Sequence, residues 1–187
     1  FGIESGSDKS LSYLKNNLTT VQENYNAIEL CKKEGIKTFG SLIVGSPEED
    51  IDDILQTIRF IETSGISYVD IFVLTPLPGT QAWHDYKRLG YLDEKYAWKY
   101  VFLDPEGMNK EPTPIIRNKH FTSEQLYNIR NYIQRNICEP ITLHRKVEKL
   151  DHRKEIERIL NGQTDLCKQR PDITLLYKKE RLLKKVK

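Results

Sequence analysis

Over the first half of the chain, three short apolar runs alternate with stretches of helical period. Thr38–Val44 reads as a buried strand ending at Gly45. Phe1–Glu4 reads as a strand end running into the small-residue turn Ser5-Gly6-Ser7. Tyr68–Leu74 reads as a third strand, opening into Thr75-Pro76-Leu77-Pro78-Gly79-Thr80. Between these runs, Asp8–Leu14 predicts a short helix broken at Asn16-Asn17, since Asn tolerates the left-handed conformation. Thr20 and Glu23 have capping-box spacing. The helix they open carries Val21, Tyr25, Ile28 and Cys31 on one face, and Gly35 stops it. Asp50, with Asp53 in the third position, caps a helix striped by Ile51, Ile54, Leu55, Ile58 and Ile61 and ended by Gly65. Acidic residues fill its first turn, as the helix dipole prefers. A further helix, Gln81–Leu89, stops at Gly90. The strands start about 30–36 residues apart with one helical crossover between each pair, which predicts a parallel, right-handed βαβαβ unit.

The pattern changes near Asp93. Tyr91–Leu103 is aromatic-rich and compatible with a strand or a short helix. Asp104–Lys119, with three prolines and a glycine, predicts a loop. Thr122 with Gln125 predicts a second strong helix start, with Phe121 and Leu126 as its hydrophobic staple. Its stripe, Leu126, Ile129, Ile133 and Ile137, runs to Pro140. Basic helical stretches follow over about 141–160 and 172–186, separated by Asn161-Gly162. The expected division is residues 1–93, three parallel strands with crossover helices, and residues 94–187, a mostly helical extension. Three strands cannot close a barrel. The chain also opens at Phe1 inside a strand, without Met. Both features raise the expectation of truncation, with further strands upstream.

Composition adds limits. The 187 residues are 38% hydrophobic and 30% charged, with no apolar run near the length of a membrane span and no signal-peptide order at the start. The net charge of +2 conceals a balance of −5 over residues 1–139 and +7 over 140–187. The basic tail reads as solvated helix faces. It lacks the aromatic interleaving of single-strand binders, which argues against nucleic acid. Cys31, Cys138 and Cys167 are widely spaced and form no metal-ligand pattern; their sparseness fits a reducing cytoplasm.

Parallel strands bind ligands beyond their carboxyl ends. Glu4 there is either an acceptor for a ribose diol or a cap for the next helix. Ser5, Gly6 and Ser7 offer hydroxyls and open backbone. Ile43, Val44 and Leu74 are either core or a flat apolar base. The Pro76–Thr80 loop offers carbonyls suited to an adenine amino group, or is a rigid connector. The histidines 84, 120, 144 and 152 share no helix face or carboxylate partner in sequence, and Trp83, Trp98 and Met108 read as packing residues. No nucleophile elbow, Walker loop or dinucleotide fingerprint occurs.

Together, Gly2-Ile3-Glu4-Ser5-Gly6-Ser7, Gly45-Ser46-Pro47-Glu48-Glu49-Asp50 and Thr75-Pro76-Leu77-Pro78-Gly79-Thr80 resemble the second half of a radical S-adenosylmethionine (radical SAM) enzyme. The cobalamin-dependent branch, which includes magnesium-protoporphyrin IX monomethyl ester oxidative cyclase-like proteins, is the most similar. The resemblance covers about Phe1–Asp93. It implies an α/β fold, the C-terminal half of a partial (β/α)6 TIM-like barrel, with the cluster-binding cysteines in the missing N-terminal half. It implies S-adenosylmethionine and a [4Fe–4S] cluster as cofactors of the full-length enzyme, possible use of cobalamin, and a small-molecule substrate. Glu4, Ser5 and Ser7 match the ribose-side turn, Ile43 and Gly45 the positions under the adenine, and Leu74, Pro76 and Pro78 the stretch whose backbone reads the adenine. Two positions depart from the pattern. Asn16 stands where a basic residue often holds the methionine carboxylate, with Lys15 one residue earlier, and Glu48 stands where glycine is usual before the acidic residue Glu49.

The expectation is therefore a C-terminal fragment of an iron–sulfur-dependent oxidoreductase or methyltransferase, with no catalytic residue or metal ligand of its own and inactive by itself. One alternative is a non-catalytic binding or interaction module on a half-barrel scaffold. Another is an RNA-modifying relative. Self-association through the open edge of the first strand is a further expectation.

Overall fold

The computed structural model describes residues 2–92 and 116–163. Most of the Tyr91–Leu103 and Asp104–Lys119 stretches, the 172–186 helix, Trp98, Met108 and Cys167 lie outside them. The described elements are β1 (Gly2–Glu4), α1 (Asp8–Lys15), α2 (Val21–Lys33), β2 (Phe39–Val44), α3 (Ile51–Thr63), β3 (Tyr68–Val73), α4 (Gln81–Arg88), α5 (Ser123–Ile133), a π-helical segment (Gln134–Cys138), α6 (Glu139–Thr142) and α7 (His152–Leu160). The strands form one parallel sheet in the order β1-β2-β3.

Local signals explain most boundaries. The capping boxes at Thr20/Glu23, Asp50/Asp53 and Thr122/Gln125 are all made, each satisfying backbone donors that a helix start leaves open. Asn16 and Asn17 both adopt positive φ, and Gly35, Gly65 and Gly90 do so after their helices.

The sheet is two-faced. Ile3, Leu42, Val44, Val69 and Ile71 are buried on one side, in one core with Ile28, Ile54, Ile58, Phe60 and Ile61 of α2 and α3 and Leu126, Ile129 and Ile133 of α5. Phe60 lies off the predicted stripe yet is fully buried. The alternate residues, Phe39, Ser41, Ile43, Tyr68, Asp70 and Phe72, turn to the other side. Phe39 and Phe72 remain 49% and 47% exposed there. Parallel sheets are ordinarily covered on both faces; among the described residues this one is covered on one.

Its outer edge at β3 is closed by side chains. Gln134 Oε1 accepts the Ile71 N–H at 3.2 Å, and Arg130 Nε donates to the Ile71 carbonyl at 2.8 Å. The Thr142 hydroxyl accepts from Val69 N–H at 3.1 Å and donates to its carbonyl at 3.3 Å. A fourth strand finds these groups already paired.

Two helix limits differ from the pattern. Pro140 does not end the helix begun at Ser123. Glu139 N–H bonds back five residues to Gln134, and this wider turn makes room for a proline ring that clashes in α register. The predicted helix over 141–160 is broken. His144 takes a left-handed conformation (φ 55°), and helix resumes only at α7, capped by Asp151.

Candidate functional site

The carboxyl ends of the strands meet where Glu4, Ile43–Gly45 and Leu74 lie side by side. Leu74 N–H donates to the Val44 carbonyl at 2.8 Å, extending the pairing one residue past β3. β1 ends in an irregularity: Glu4 has φ 65°, and the register with β2 shifts between Gly2 and Glu4. A left-handed conformation at a non-glycine residue costs about 1 kcal/mol or more. It folds the Glu4 carboxylate back over Gly2, into the space that a side chain at position 2 would take. Lys15, in the last turn of α1, reaches the same spot and pairs with Glu4 at 3.2 Å. Two sequence candidates are thus brought together on the uncovered face. The alternative role for Glu4, capping the next helix, belongs instead to Ser7, whose side chain accepts the Ser10 N–H.

Ser5 and Ser7 are turned the other way. Ser5 is fully buried, with its hydroxyl on Thr57 Oγ1 at 3.2 Å. Ser7 Oγ donates to Asp53 at 2.6 Å. Both side chains tie the β1 turn to α3, so any ligand contact from them falls to backbone atoms. Gly6 sits between them because a Cβ there lies 2.7 Å from Thr57 Cα and 2.9 Å from the Gln56 carbonyl oxygen.

The turn after β2 is held from beneath by a buried polar cluster. Glu49 is 1% exposed. Its carboxylate accepts the Gly45 N–H and, at 3.1 Å, the Ser10 hydroxyl. Burial pushes its pKa up to about 7; the bonds from Gly45 and Ser10 oppose that rise, while the nearby Asp53 charge adds to it. Tyr86 of α4, fully buried, donates its hydroxyl to the Gly45 carbonyl. Asn118 donates to the Ser46 and Glu49 carbonyls, both at 2.9 Å, and accepts the His120 and Phe121 N–H groups at 2.9 and 2.7 Å. Gly45 itself has φ 102°, and a Cβ added there would lie 3.3 Å from Ile116 and 3.4 Å from Leu126. Gly45 is buried, its N–H held by Glu49 and its carbonyl accepting from Tyr86, so its missing side chain serves the packing of the turn against Ile116 and Leu126.

Ile43 and Leu74 are half-buried, whereas Val44 is core. Pro76 is buried and Pro78 half-buried. In that loop the Leu77 carbonyl is already taken by the Thr80 N–H and hydroxyl, at 3.0 and 2.7 Å.

Sequence reasoning missed Tyr86, Asn118 and the Glu49 contacts. It also missed that His152 finds a carboxylate, Glu62, at 3.1 Å and the Tyr132 hydroxyl at 2.8 Å. Trp83 is buried, as a packing residue is. Among the described residues no group of three His, Cys, Asp or Glu side chains is placed to hold a metal. Cys31 is half-buried on α2, and burial pushes the Cys138 thiol up, away from the thiolate a cluster needs. No helix among them is long and apolar enough to cross a membrane. The chemistry available on the uncovered face is therefore binding and orientation: a carboxylate–ammonium pair, an apolar shelf and a rigid turn.

No known protein-family profile matches the chain. Curated relatives do. An uncharacterized methyltransferase of Pyrococcus horikoshii is 35% identical over 67% of this chain and 25% of its own length. A putative methylthiotransferase of Methanocaldococcus jannaschii is 41% identical over 69% of this chain and 31% of its own. The bacteriochlorophyllide d C-8(2)-methyltransferase of Chlorobaculum tepidum is 30% identical over 54% and 23%. The chain spans about a quarter to a third of the length of these relatives. It is homologous to part of a set of proteins named as methyl- and methylthiotransferases.

Proposed function

We propose that this chain is the C-terminal half of a radical SAM barrel, from an enzyme of methyl- or methylthio-transfer type, and that it forms the ribose and adenine side of the S-adenosylmethionine site. The observation that carries the reading is the two-sided character of the sheet. One face is sealed by helices and the β3 edge by Gln134, Arg130 and Thr142, while the face bearing Glu4, with Lys15 of α1 paired to it, and Ile43 stays uncovered among the described residues. Such a sheet has one direction of growth, at β1, and one side on which to enclose a ligand.

The residues fit the nucleoside. The Glu4 carboxylate accepts from a ribose diol, and Ile43, next to the half-buried Leu74, offers an apolar base for a purine. Lys15, paired with Glu4, is the cation within reach of a carboxylate. When bound, S-adenosylmethionine supplies the transferable methyl group and the adenosyl moiety. The described residues do not fit a [4Fe–4S] cluster, because Cys31 and Cys138 lie on separate helices and form no ligand set. No step is assigned to a cluster in this chain, and the chain by itself is expected to be inactive. Cobalamin use belongs to the same proposal, as the branch the sequence motifs most resemble.

The coding sequence upstream of Phe1 tests the half-barrel reading. A Cys-x-x-x-Cys-x-x-Cys motif within roughly 100–200 residues, the span of the preceding strand–helix units, supports it. A start codon immediately before Phe1 overturns it in favour of a binding module.

A further inference from the structure

The turn that ends the central strand is tied to a chain of buried side chains. Glu49 accepts the Gly45 N–H with one carboxylate oxygen and the Ser10 hydroxyl, at 3.1 Å, with the other. The Ser46 N–H also favours its charged form. The Ser46 hydroxyl donates in turn to Ser10 Oγ at 3.0 Å. Glu49, Ser10 and Ser46 are all buried. Among the described residues Glu49 has no ion-pair partner, because the ionisable groups around it are engaged elsewhere. Lys9 of α1 pairs with Asp50 and Asp53 of the α3 start, and Ser7 donates to Asp53 as well. Lys119 pairs with Glu48 at 2.6 Å, and His120 acts on that same carboxylate. Tyr86 of α4 donates to the Gly45 carbonyl.

An ionised carboxylate only accepts, whereas a protonated one must also donate its O–H. Every group bonded to Glu49 is a donor to the ionised form. Of these, only Ser10 Oγ can turn acceptor. To do so it swings its own proton to Ser46 Oγ, and the Ser46 proton then loses the acceptor it had. Protonation also weakens the Gly45 bond, since a charge-assisted hydrogen bond is about twice as strong as a neutral one. Burial opposes the charge and the converging donors support it, so both states lie within reach. The two states of one carboxyl thus specify two arrangements of Gly45, Ser46 and Ser10. The Val44 carbonyl, next to Gly45, holds the Leu74 N–H, so the turn is continuous with the ends of β2 and β3.

We propose that Glu49 is a proton-operated positioning residue for the Gly45 turn. Ionised, it clamps Gly45, Ser46 and Ser10 in the arrangement that favours a ligand at the strand ends; protonated, it reverses the Ser10–Ser46 hydroxyl chain and loosens the turn. The coupling to a ligand rests on the proposed reading of the strand ends as a nucleoside site. It goes beyond that reading by giving the site a pH-dependent control from beneath, through residues that do not touch the ligand.

Backbone amide shifts of the isotopically labelled chain, followed from about pH 5 to pH 9, read the switch without any ligand. The Gly45 and Ser46 amides are expected to share one inflection and to move downfield on ionisation. Glu49→Gln, which holds the neutral arrangement at every pH, is expected to flatten both. Ser10→Ala removes one donor to the charged form and cuts the link to Ser46. It is expected to raise the Gly45 inflection by about one pH unit. S-adenosylhomocysteine is then titrated at pH 6 and pH 8. The wild type is expected to bind it about threefold or more tightly at pH 8, and by reciprocity the ligand lowers the Gly45 inflection by about half a pH unit. Glu49→Gln is expected to bind it equally at both. Absence of the Gly45 inflection, its persistence in Glu49→Gln, or an unmoved inflection in Ser10→Ala overturns the switch. Equal wild-type affinity at the two pH values overturns its coupling to the site. Failure of S-adenosylhomocysteine to bind at either pH, with the amide inflections intact, overturns the nucleoside reading and leaves the proton switch of the turn standing.

Discussion

Replacing Glu49 by Gln isolates a strongly perturbed buried carboxylate. Its ordinary pKa is 4.5 and burial raises it to about 7 in the folded chain. The native state therefore binds this proton more tightly than the unfolded state does. Stability falls as pH rises from about 4.5 to about 7 and levels off above that. The difference of roughly 2.5 pH units corresponds to about 3 kcal/mol in full, of which about 2.5 kcal/mol falls between pH 5 and pH 8. Asp50 is shifted the opposite way, to about 2, mainly by Lys9, so its contribution is lost only in stronger acid, outside the window. The Glu49→Gln side chain keeps a carbonyl for the Gly45 N–H and carries no charge at any pH. Urea unfolding followed by tryptophan fluorescence at pH 5, 6, 7 and 8 gives the free energies. The wild type is expected to lose about 2–3 kcal/mol across the range relative to Glu49→Gln, most of it below pH 7. The difference between the two proteins removes the histidine titrations they share. Parallel profiles for wild type and variant refute the reasoning, because they place the Glu49 carboxylate in contact with water.

Gly6→Ala drives a Cβ into the α3 backbone at Thr57. It is expected to cost about 2 kcal/mol or more and to lower the melting temperature by several degrees, read by circular dichroism. Asn118→Ala strips donors from the Ser46 and Glu49 carbonyls. A loss of about 1–3 kcal/mol is expected, with faster hydrogen exchange at His120 and Phe121. Lys15→Ala removes a partly exposed pair with Glu4; stability is expected to change by less than about 1 kcal/mol, whereas S-adenosylhomocysteine affinity falls.

What was legible in the sequence was local. Thr20, Asp50 and Thr122 announce their helices because a capping box spans only four residues. The parallel order of β1, β2 and β3 follows from one crossover helix between each pair. The positions of Glu4 and Lys15 were legible too, but not that they meet, because the left-handed turn at Glu4 has no signature in a non-glycine residue. The polar support of the strand ends was hidden for a different reason. Ser10 with Glu49, Tyr86 with Gly45, Asn118 with Ser46 and His152 with Glu62 are separated by 39, 41, 72 and 90 residues. No local pattern distinguishes a serine or an asparagine that will be buried and bonded from one left in a loop. Pro140 misled for want of the π-helical turn that accommodates it. A general signal was present for Glu49: an acid shortly after a strand-ending glycine and just before a helix start is in reach of the amides of that turn.

The central claim is that the uncovered carboxyl ends of these strands hold a nucleoside. Mapping S-adenosylhomocysteine on the labelled chain tests it most directly. The account predicts saturable shifts concentrated at Glu4, Ile43, Gly45 and Leu74, abolished by Glu4→Ala. Shifts spread over the helical face, or none at saturating ligand, contradict it.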